Sequence, residues 1–586
     1  MADMTGNRAA FLGVESSFTG RRWLGPLPET ERLAEAMVQR TQLPLELCRV
    51  LAARGVPADS AESHLSPKLR HLLPDPRQLL DMEKAASRIV TALDVRERIA
   101  IFADYDVDGG ASAALILNWL RALGHEATLY IPDRIDEGYG PNVAAMEMLA
   151  RDHSLIICVD CGTLSHEPIL AAGPADVVVL DHHLGGEILP PALAVVNPNR
   201  QDEDGSLGHL CAAAIVFLVL VEANRQLRLR GLGGPDLMPF LDLVALATVA
   251  DVAPLIGVNR AFVRQGLAVM ASRGRPGLRA LADIARMDNA PTTYTLGFVF
   301  GPRINAGGRI GQADIGARLL STPDPDEAER LACRLEELNA ERRGITARIR
   351  EEAMAQVEAR GADASLVWAA GEGWHPGVVG IVAAQLKEAT GRPAVVIGFS
   401  RGLGKGSGRS VPGIDLGFAV QRLASEGLLL AGGGHRMAAG LSLRQENLGA
   451  AMARLTELLV RQGADTAMID ALQIDSLLMP EATGLELLEQ IERAGPFGAA
   501  APAPRFVIPS VPVAAQRFGD NHLRLRIGNG LGDGFEAVSF GGFDTALGHN
   551  LTAPGHQLFH LAGRLERNTW RGRARIQLLL EDAAPG

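Results

Sequence analysis

Ile99-Ala100-Ile101-Phe102-Ala103-Asp104-Tyr105-Asp106-Val107-Asp108-Gly109 is the stretch that decides the fold. Five apolar residues run directly into three carboxylates that alternate over five positions. The apolar run reads as a strand buried on both faces. Acids at its end do not suit a core. Alternating carboxylates oppose one another's ionisation unless something positive sits between them, and a divalent cation held by oxygen ligands meets that need. The plainer alternative is an acidic turn, since Asp and Gly favour turns.

Around this stretch the pattern alternates short β-rich runs with helical ones. Ile99–Phe102, Ala127–Ile131, Leu155–Val159, Val177–Leu180 and Ala194–Val196 read as strands, with Ala111–Leu123 and Asn142–Arg151 as helices. Such alternation predicts a parallel sheet in an α/β domain. Ligands of such sheets collect beyond the carboxyl ends of the strands. The first strand ends in Asp104, Asp106 and Asp108, and the second leads into Pro132-Asp133-Arg134 and Glu137-Gly138-Tyr139-Gly140. The third ends in Val159-Asp160-Cys161-Gly162 and the fourth in Asp181-His182-His183. Four consecutive strands bring acids, imidazoles or an Arg to one edge, which points to a metal site.

Asp106, Asp108, Asp160, His182 and Asp251 have the ligand types of a Mn²⁺ or Mg²⁺ centre. Carboxylates suit these hard ions, and an imidazole tilts the choice towards Mn²⁺. Two such ions can activate a water and stabilise the leaving oxygen of a phosphoester. Neighbours on an extended chain point to opposite sides, so one of His182 and His183 is expected on metal and the other on phosphate. The competing reading is zinc on Cys158 and Cys161, but a structural zinc needs four ligands, and Cys48, Cys211 and Cys333 stand isolated.

The chain of 586 residues exceeds one ordinary domain, and 47% hydrophobic with 21% charged residues is the make-up of a globular protein. No run reaches the length of a membrane span, Leu210–Val221 coming nearest. The first residues lack a basic region followed by an apolar stretch, so no signal peptide is expected. Five Cys fit a reducing, cytoplasmic location better than a disulfide scaffold. A net charge of −11 speaks against nucleic acid, but acids clustered for metal count as negative until ions bind.

Gly301-Pro302-Arg303-Ile304-Asn305-Ala306-Gly307-Gly308-Arg309 reads as a Gly-rich loop with two Arg. Asp326 to about Arg360 reads as one long helix, with Leu331, Leu335, Leu338, Ile345 and Ile349 on a stripe. A second α/β domain starts near residue 363. It carries Gly373–Gly380, Ser407-Gly408-Arg409-Ser410 and Gly432-Gly433-Gly434-His435-Arg436, which together suggest a phosphate-gripping surface. Past Ala500, five short strands (Arg505–Ile508, His522–Ile527, Phe535–Phe540, Gln557–Leu565, Ala574–Leu580) suit a small barrel such as an OB-fold. Its many Arg, with Phe506, Phe518 and Trp570, offer stacking faces for unpaired bases, or a barrel core.

In order, Asp104–Gly109, Glu137–Gly140, Val159–Gly162, Asp181–His183, Val249–Pro254, Arg303–Arg309, Gly373–Gly380, Ser407–Ser410 and Gly433–Gly440 resemble the motifs of the DHH phosphoesterase superfamily. Within it, the likeness is to bacterial single-strand-specific 5′→3′ exonucleases, over about residues 70 to 586. The resemblance implies two α/β lobes, a parallel-sheet DHH domain and a DHHA1 domain, joined by a long helix, plus a C-terminal OB-fold β-barrel. The domains would be a helical segment at 1–70, the DHH domain at 71–325, the connecting helix at 326–362, the DHHA1 domain at 363–465, and linker plus OB-fold at 466–586. It implies Asp106, Asp108, Asp160, His182 and Asp251 as metal ligands with Asp104 beside them, and His183 on the scissile phosphate. Arg134, Tyr139, Arg303, Asn305 and Arg309 would line the strand's path, and His375, Ser407, Arg409 and His435 would hold phosphates or the 5′ end. Expected partners are single-stranded DNA, single-strand-binding protein and a helicase, with no membrane and a monomeric state.

One departure is plain. Many members place a His four residues before the second Asp of the first motif; here that residue is Phe102, which binds no metal. A short-oligonucleotide or cyclic-dinucleotide phosphodiesterase of the same superfamily is the alternative, set apart by the barrel tail. A strand-binding factor without activity would lack the acids, and a pyrophosphatase would need no long groove.

Overall fold

The computed structural model describes residues 8–134, 137–361, 364–465, 471–527, 535–553, 557–570 and 573–586, without the side chains of 569, 570, 573 and 574. The choice between stacking face and barrel core for Trp570, and the side chains of Arg571 and Arg573, lie outside the described residues. The chain forms two compact units. One gathers Met1–Pro74, Pro254–Arg264 and Met468–Gly586; the other holds Asp75–Ala253 and Gln265–Ala467.

The first unit opens with strand β1 (Arg22–Leu24) and helices Pro28–Thr41 and Leu45–Ala53. In the second unit, β2 (Ile99–Ala103), β3 (Ala127–Tyr130), β4 (Leu155–Val159), β5 (Asp176–Leu180) and β6 (Ala194–Val196) build a wholly parallel sheet in the order β3-β2-β4-β5-β6. The central strands β2 and β4 are buried at every position, which explains their unbroken apolar runs. Phe102 is fully enclosed in β2 and packs on Tyr130 with ring centres 5.4 Å apart. The helices Val107–Ala122 and Ala212–Leu229 follow, both mostly buried. No described helix is long and apolar enough to cross a membrane.

The segment read as a Gly-rich loop is instead the helix Gly301–Ile310. Its glycines serve close packing rather than turning: a Cβ on Gly308 would stand 2.8 Å from the Tyr105 carbonyl oxygen. The long helix runs from Pro325 to Arg360, 36 residues, with Leu331, Leu335, Leu338 and Ile349 buried as the stripe predicted. It leads into the second lobe, where β7 (Val367–Glu372), β8 (Ala394–Ser400), β9 (Leu403–Arg409), β10 (Ala431–His435) and β11 (Ala438–Arg444) form a mixed sheet in the order β10-β11-β9-β8-β7. Ser407 and Arg409 therefore sit on a strand, and Gly432–His435 on the hairpin partner of β11, rather than on loops.

In the first unit, β12 (Ala471–Gln473) pairs in parallel with β1, and β13 (Ser476–Leu477) with the start of β14 (Phe506–Phe518). With β15 (His522–Ile527), β16 (Phe535–Ser539), β17 (Leu558–Trp570) and β18 (Arg573–Pro585), β14 closes a five-stranded barrel in the sequence β14-β15-β16-β18-β17-β14. β14 and β17 are longer than the sequence suggested, because β14 bends at Ser510 (φ 48°) and carries on past a register shift. Phe506 is fully buried, which decides it as barrel core rather than a stacking face. Phe518 lies at the surface beside His522 and Phe540, with Arg524 4.7 Å from its ring centre.

Candidate metal centre

The acids converge as the strand ends foretold. Three groups of side chains bring their ligand atoms within 4.8 Å of one another: Asp104, Asp106 and Asp160; Asp160, His182 and His183; and Asp108, His182 and Asp251. His182 Nε2 lies 3.3 Å from Asp160 Oδ1 and 3.8 Å from an oxygen of Asp108 and of Asp251. Asp160 and His182 are shared between groups.

Each candidate ligand is held from behind. Asp106 caps the helix Val107–Ala122, its Oδ1 accepting from the N–H groups of Asp108 and Gly109 at 2.9 and 3.1 Å. Asp108 is fully buried, and its two oxygens accept from the N–H groups of Ala212 and Ala213 at 2.7 and 2.8 Å, the start of another helix. Asp160 adopts a left-handed backbone (φ 60°), an uncommon conformation for a residue with a Cβ. Asp251 ends the helix Leu241–Ala250. A carboxylate at the negative end of a helix dipole is destabilised unless a cation offsets it.

The electrostatics agree. Burial raises Asp104, Asp108 and Asp160 above the usual carboxylate range, and neighbouring carboxylates add to it. Burial with Asp108 and Asp106 pushes Asp251 up to about 8, with His183 partly offsetting. Oδ1 of Asp104 and Oδ1 of Asp160 are buried without a hydrogen-bond partner. Orphaned buried oxygens among mutually repelling acids are what an oxygen-ligated divalent cation would satisfy, so these residues fit one.

The triplet at 181–183 divides its labour. Asp181 accepts from the N–H groups of Thr163, His182 and His183 and pairs with His183 Nδ1 at 2.8 Å. It holds the turn that lets both imidazoles face the acids. Sequence reasoning gave it no role, although the Asx-turn chemistry of Asp was the available signal. For His183, burial opposes the charge, but the Asp181 hydrogen bond and charge outweigh it and lift His183 to about 9. Tyr139 donates to the Asp160 carbonyl at 3.0 Å, and its hydroxyl lies 3.2 Å from the His183 ring nitrogens. Glu137 braces the segment that carries Tyr139 and Arg134: it accepts from Tyr130 Oη at 2.6 Å, Asp133 N at 2.9 Å and Asn142 Nδ2 at 3.0 Å.

A cavity of about 220 Å³ opens on Asp104, Asp106, Asp160, His183 and Asp251, with Arg134, Tyr139, Asn305 and Arg309 around it. Arg134 and Arg309 also line a second cavity of about 650 Å³, floored by the second lobe at Gly380, Lys405, Ser407, Arg409, Gly433 and Ser442. Arg409 donates to Ser407 Oγ at 2.9 Å, and Arg309 to the Gly377 carbonyl at 3.0 Å. Asn305 Oδ1 accepts from Val107 N at 3.1 Å, tying the two helices at the site. Lys405 was not foreseen.

Three expected contacts are not brought to these cavities. Arg303 points to Glu336, with Nε 2.6 Å from its carboxylate, and donates to the Val299 carbonyl. His375 Nδ1 accepts from Gly377 N as the cap of helix Pro376–Thr390, so that helix start is already satisfied. His435 is exposed at the end of β10. Cys158 and Cys161 lie in the apolar core, their thiols raised by burial, and no candidate ligand group among the described residues contains a cysteine.

The sheet-edge carboxylates, the Asp-His-His turn and the facing cationic lobe define a phosphoesterase of the DHH class. The family model "DHH family, N-terminal domain" matches residues 98–248, the DHHA1 domain 363–461 and the RecJ OB domain 474–582. The chain is 37% identical over 568 residues to the single-stranded-DNA-specific exonuclease RecJ of Dickeya dadantii, covering 93% of this chain and 96% of that protein. It is 34% identical to the RecJ of Escherichia coli, again over 93% and 96%. The structure of RecJ in complex with Mn²⁺ from Thermus thermophilus superposes with a TM-score of 0.80 at 28% identity, covering 96% of this chain and 79% of that one. A second structure of that protein, with Mg²⁺, gives a TM-score of 0.74. The chain belongs to the RecJ family of single-stranded-DNA-specific exonucleases.

Proposed function

We propose that this chain degrades single-stranded DNA from the 5′ end to 5′-mononucleotides by two-metal phosphodiester hydrolysis, in DNA repair and recombination. Asp106, Asp108, Asp160, His182 and Asp251 would hold Mn²⁺ or Mg²⁺, with Asp104 supplying an oxygen where Phe102 supplies none. Bound there, the ions would lower the pKa of a water nucleophile and offset charge on the phosphoryl oxygens. The protein's own residues prepare the rest. Asp181 holds His183 through Nδ1, which leaves Nε2–H to donate to a phosphate oxygen. Arg134, Arg309 and Asn305 border the same space and meet the phosphates on either side of the scissile bond. Arg409, Ser407 and Lys405 extend that cationic wall along the second lobe. Selectivity for single strands would follow from a cleft between two close lobes, without base readout. The proposal extends to a monomer in the cytoplasm that works with single-strand-binding protein and a helicase.

The observation that carries this reading is the sharing of Asp160 and His182 among ligand groups whose atoms lie within 4.8 Å. The barrel at the C-terminus favours a long strand over a dinucleotide, since a dinucleotide has no use for it. The test is cleavage of 5′- and 3′-labelled single-stranded and duplex DNA with Mn²⁺ or Mg²⁺. Mononucleotides released first from the 5′ label of single strands are expected. Preferential release from the 3′ label, or faster hydrolysis of dinucleotides than of long strands, would overturn the assignment.

A further inference from the structure

We propose that Tyr294 and Phe298 form a stacking platform for the unpaired bases of the strand; this rests on the function proposed above. The two rings stack on each other, with centres 5.1 Å apart and planes 20° apart, yet both stand in solvent, 66% and 70% exposed. A folded chain leaves such a pair uncovered at a cost, because each ring would gain by burial. Tyr294 caps, and Phe298 lies within, a π-helical stretch, Thr295–Phe300, that runs without a break into the helix Gly301–Ile310. Single π-turns inside helices are frequent at functional sites.

What should cover the pair follows from where this rod lies. Its later residues Asn305 and Arg309 border the metal-site cavity. Its flank packs on the helix that ends at Asp251: Cβ positions at Gly297 and Gly301 would sit 3.5 and 3.6 Å from Val249 and Ala250. Phe298 is seven residues before Asn305, roughly 10 Å along a helix. A strand whose phosphates meet Arg309 and Asn305 therefore has bases within reach of the pair. Those bases are unstacked from any partner, and aromatic rings bind them whatever their identity.

The test is equilibrium binding of a labelled oligothymidylate in EDTA, so that no cleavage intervenes. One abasic site is walked along the strand. Tyr294→Ala and Phe298→Ala are expected to weaken binding about five- to hundredfold with no change in the salt slope, since no charge is removed. The loss should vanish when the abasic site falls at the contacting position, and Tyr294→Phe and Phe298→Trp should bind like the unaltered protein. An equal loss on base-bearing and fully abasic strands, or no loss at all, would overturn the platform. If the unaltered protein cleaves single strands while the alanine variants bind normally, only the platform falls. If it neither binds nor cleaves them, the nuclease reading falls with it.

Discussion

At the scale of single residues, the site depends on side chains that act only through their neighbours. Asp181 is the clearest case: it accepts three backbone N–H groups and one imidazole N–H. Asp181→Asn keeps the shape but removes the negative charge that pairs with His183 through Nδ1–H. We expect kcat to drop by about 10²- to 10⁴-fold, as when an orienting carboxylate is neutralised elsewhere, with the far-UV spectrum and Tm nearly unchanged. Near-normal kcat would show that His183 needs no such partner. Removal of a shared ligand acts differently. Asp160→Ala should abolish metal-dependent hydrolysis and also shift stability upwards in the absence of metal, because it deletes a buried, repelled carboxylate; residual activity within tenfold would reject Asp160 as a ligand. Asp104, Asp106, Asp108 and Asp160 were legible in sequence because they follow apolar strands, and Asp251 because it follows an apolar helical run. Asp181 was legible only as a turn former, and its hold on His183 depends on a backbone bend that spacing does not encode. Glu137 was likewise noted without a role, since its three partners come together only after the segment folds.

At the scale of elements, strand ends present most of the candidate ligands and the helices packed on them fix the surrounding side chains. Helix Gly301–Ile310 presses so closely on Tyr105 that residue 308 has no room for a Cβ. Gly308→Ala should push this helix outward and carry Asn305 and Arg309 with it. A stability loss of about 1–3 kcal/mol is expected from overpacking, with kcat/KM falling further than stability alone explains. Unfolding midpoints and single-strand kinetics would check this, and unchanged kinetics would mean that the helix has slack. This element was misread as a loop because four glycines and a proline in Gly301–Gly311 are turn residues by habit. Here the glycines instead permit close packing, a property of the partner surface. The long helix was read correctly because thirty-six residues of periodic pattern leave little room for another reading.

At the scale of the whole molecule, the first seventy residues looked featureless in sequence, yet they share a unit with the barrel. Trp23 is fully buried and donates from Nε1 to the buried Asp582 at 2.9 Å. Trp23→Ala should cost that unit about 3–5 kcal/mol, seen as an earlier transition in denaturant, while Trp23→Phe should cost less. The same unit carries a pH response. Burial, with Arg260 and Arg54 nearby, lowers His64 to about 4 from its ordinary 6.5. Above pH 6.5 His64 is neutral folded or unfolded. Between 6.5 and 4 only the unfolded chain takes up the proton, so stability falls as pH falls through that window, by roughly 1–3 kcal/mol. His64→Gln should flatten this part of the stability–pH curve; an unchanged curve would assign the response to other groups.

The pairing of β1 with β12 joins Arg22 to Ala471. On the ribosome the first strand therefore emerges about 450 residues before its mate, a wait of roughly 20–90 s at ordinary elongation speeds. Throughout that interval Trp23 and the apolar faces of the first helices have no barrel to pack on, while the intervening catalytic unit has its whole sequence available to fold. Yield in cells should thus depend on holdase chaperones at the nascent N-terminus. Moving residues 8–74 behind the barrel by circular permutation should relieve that dependence.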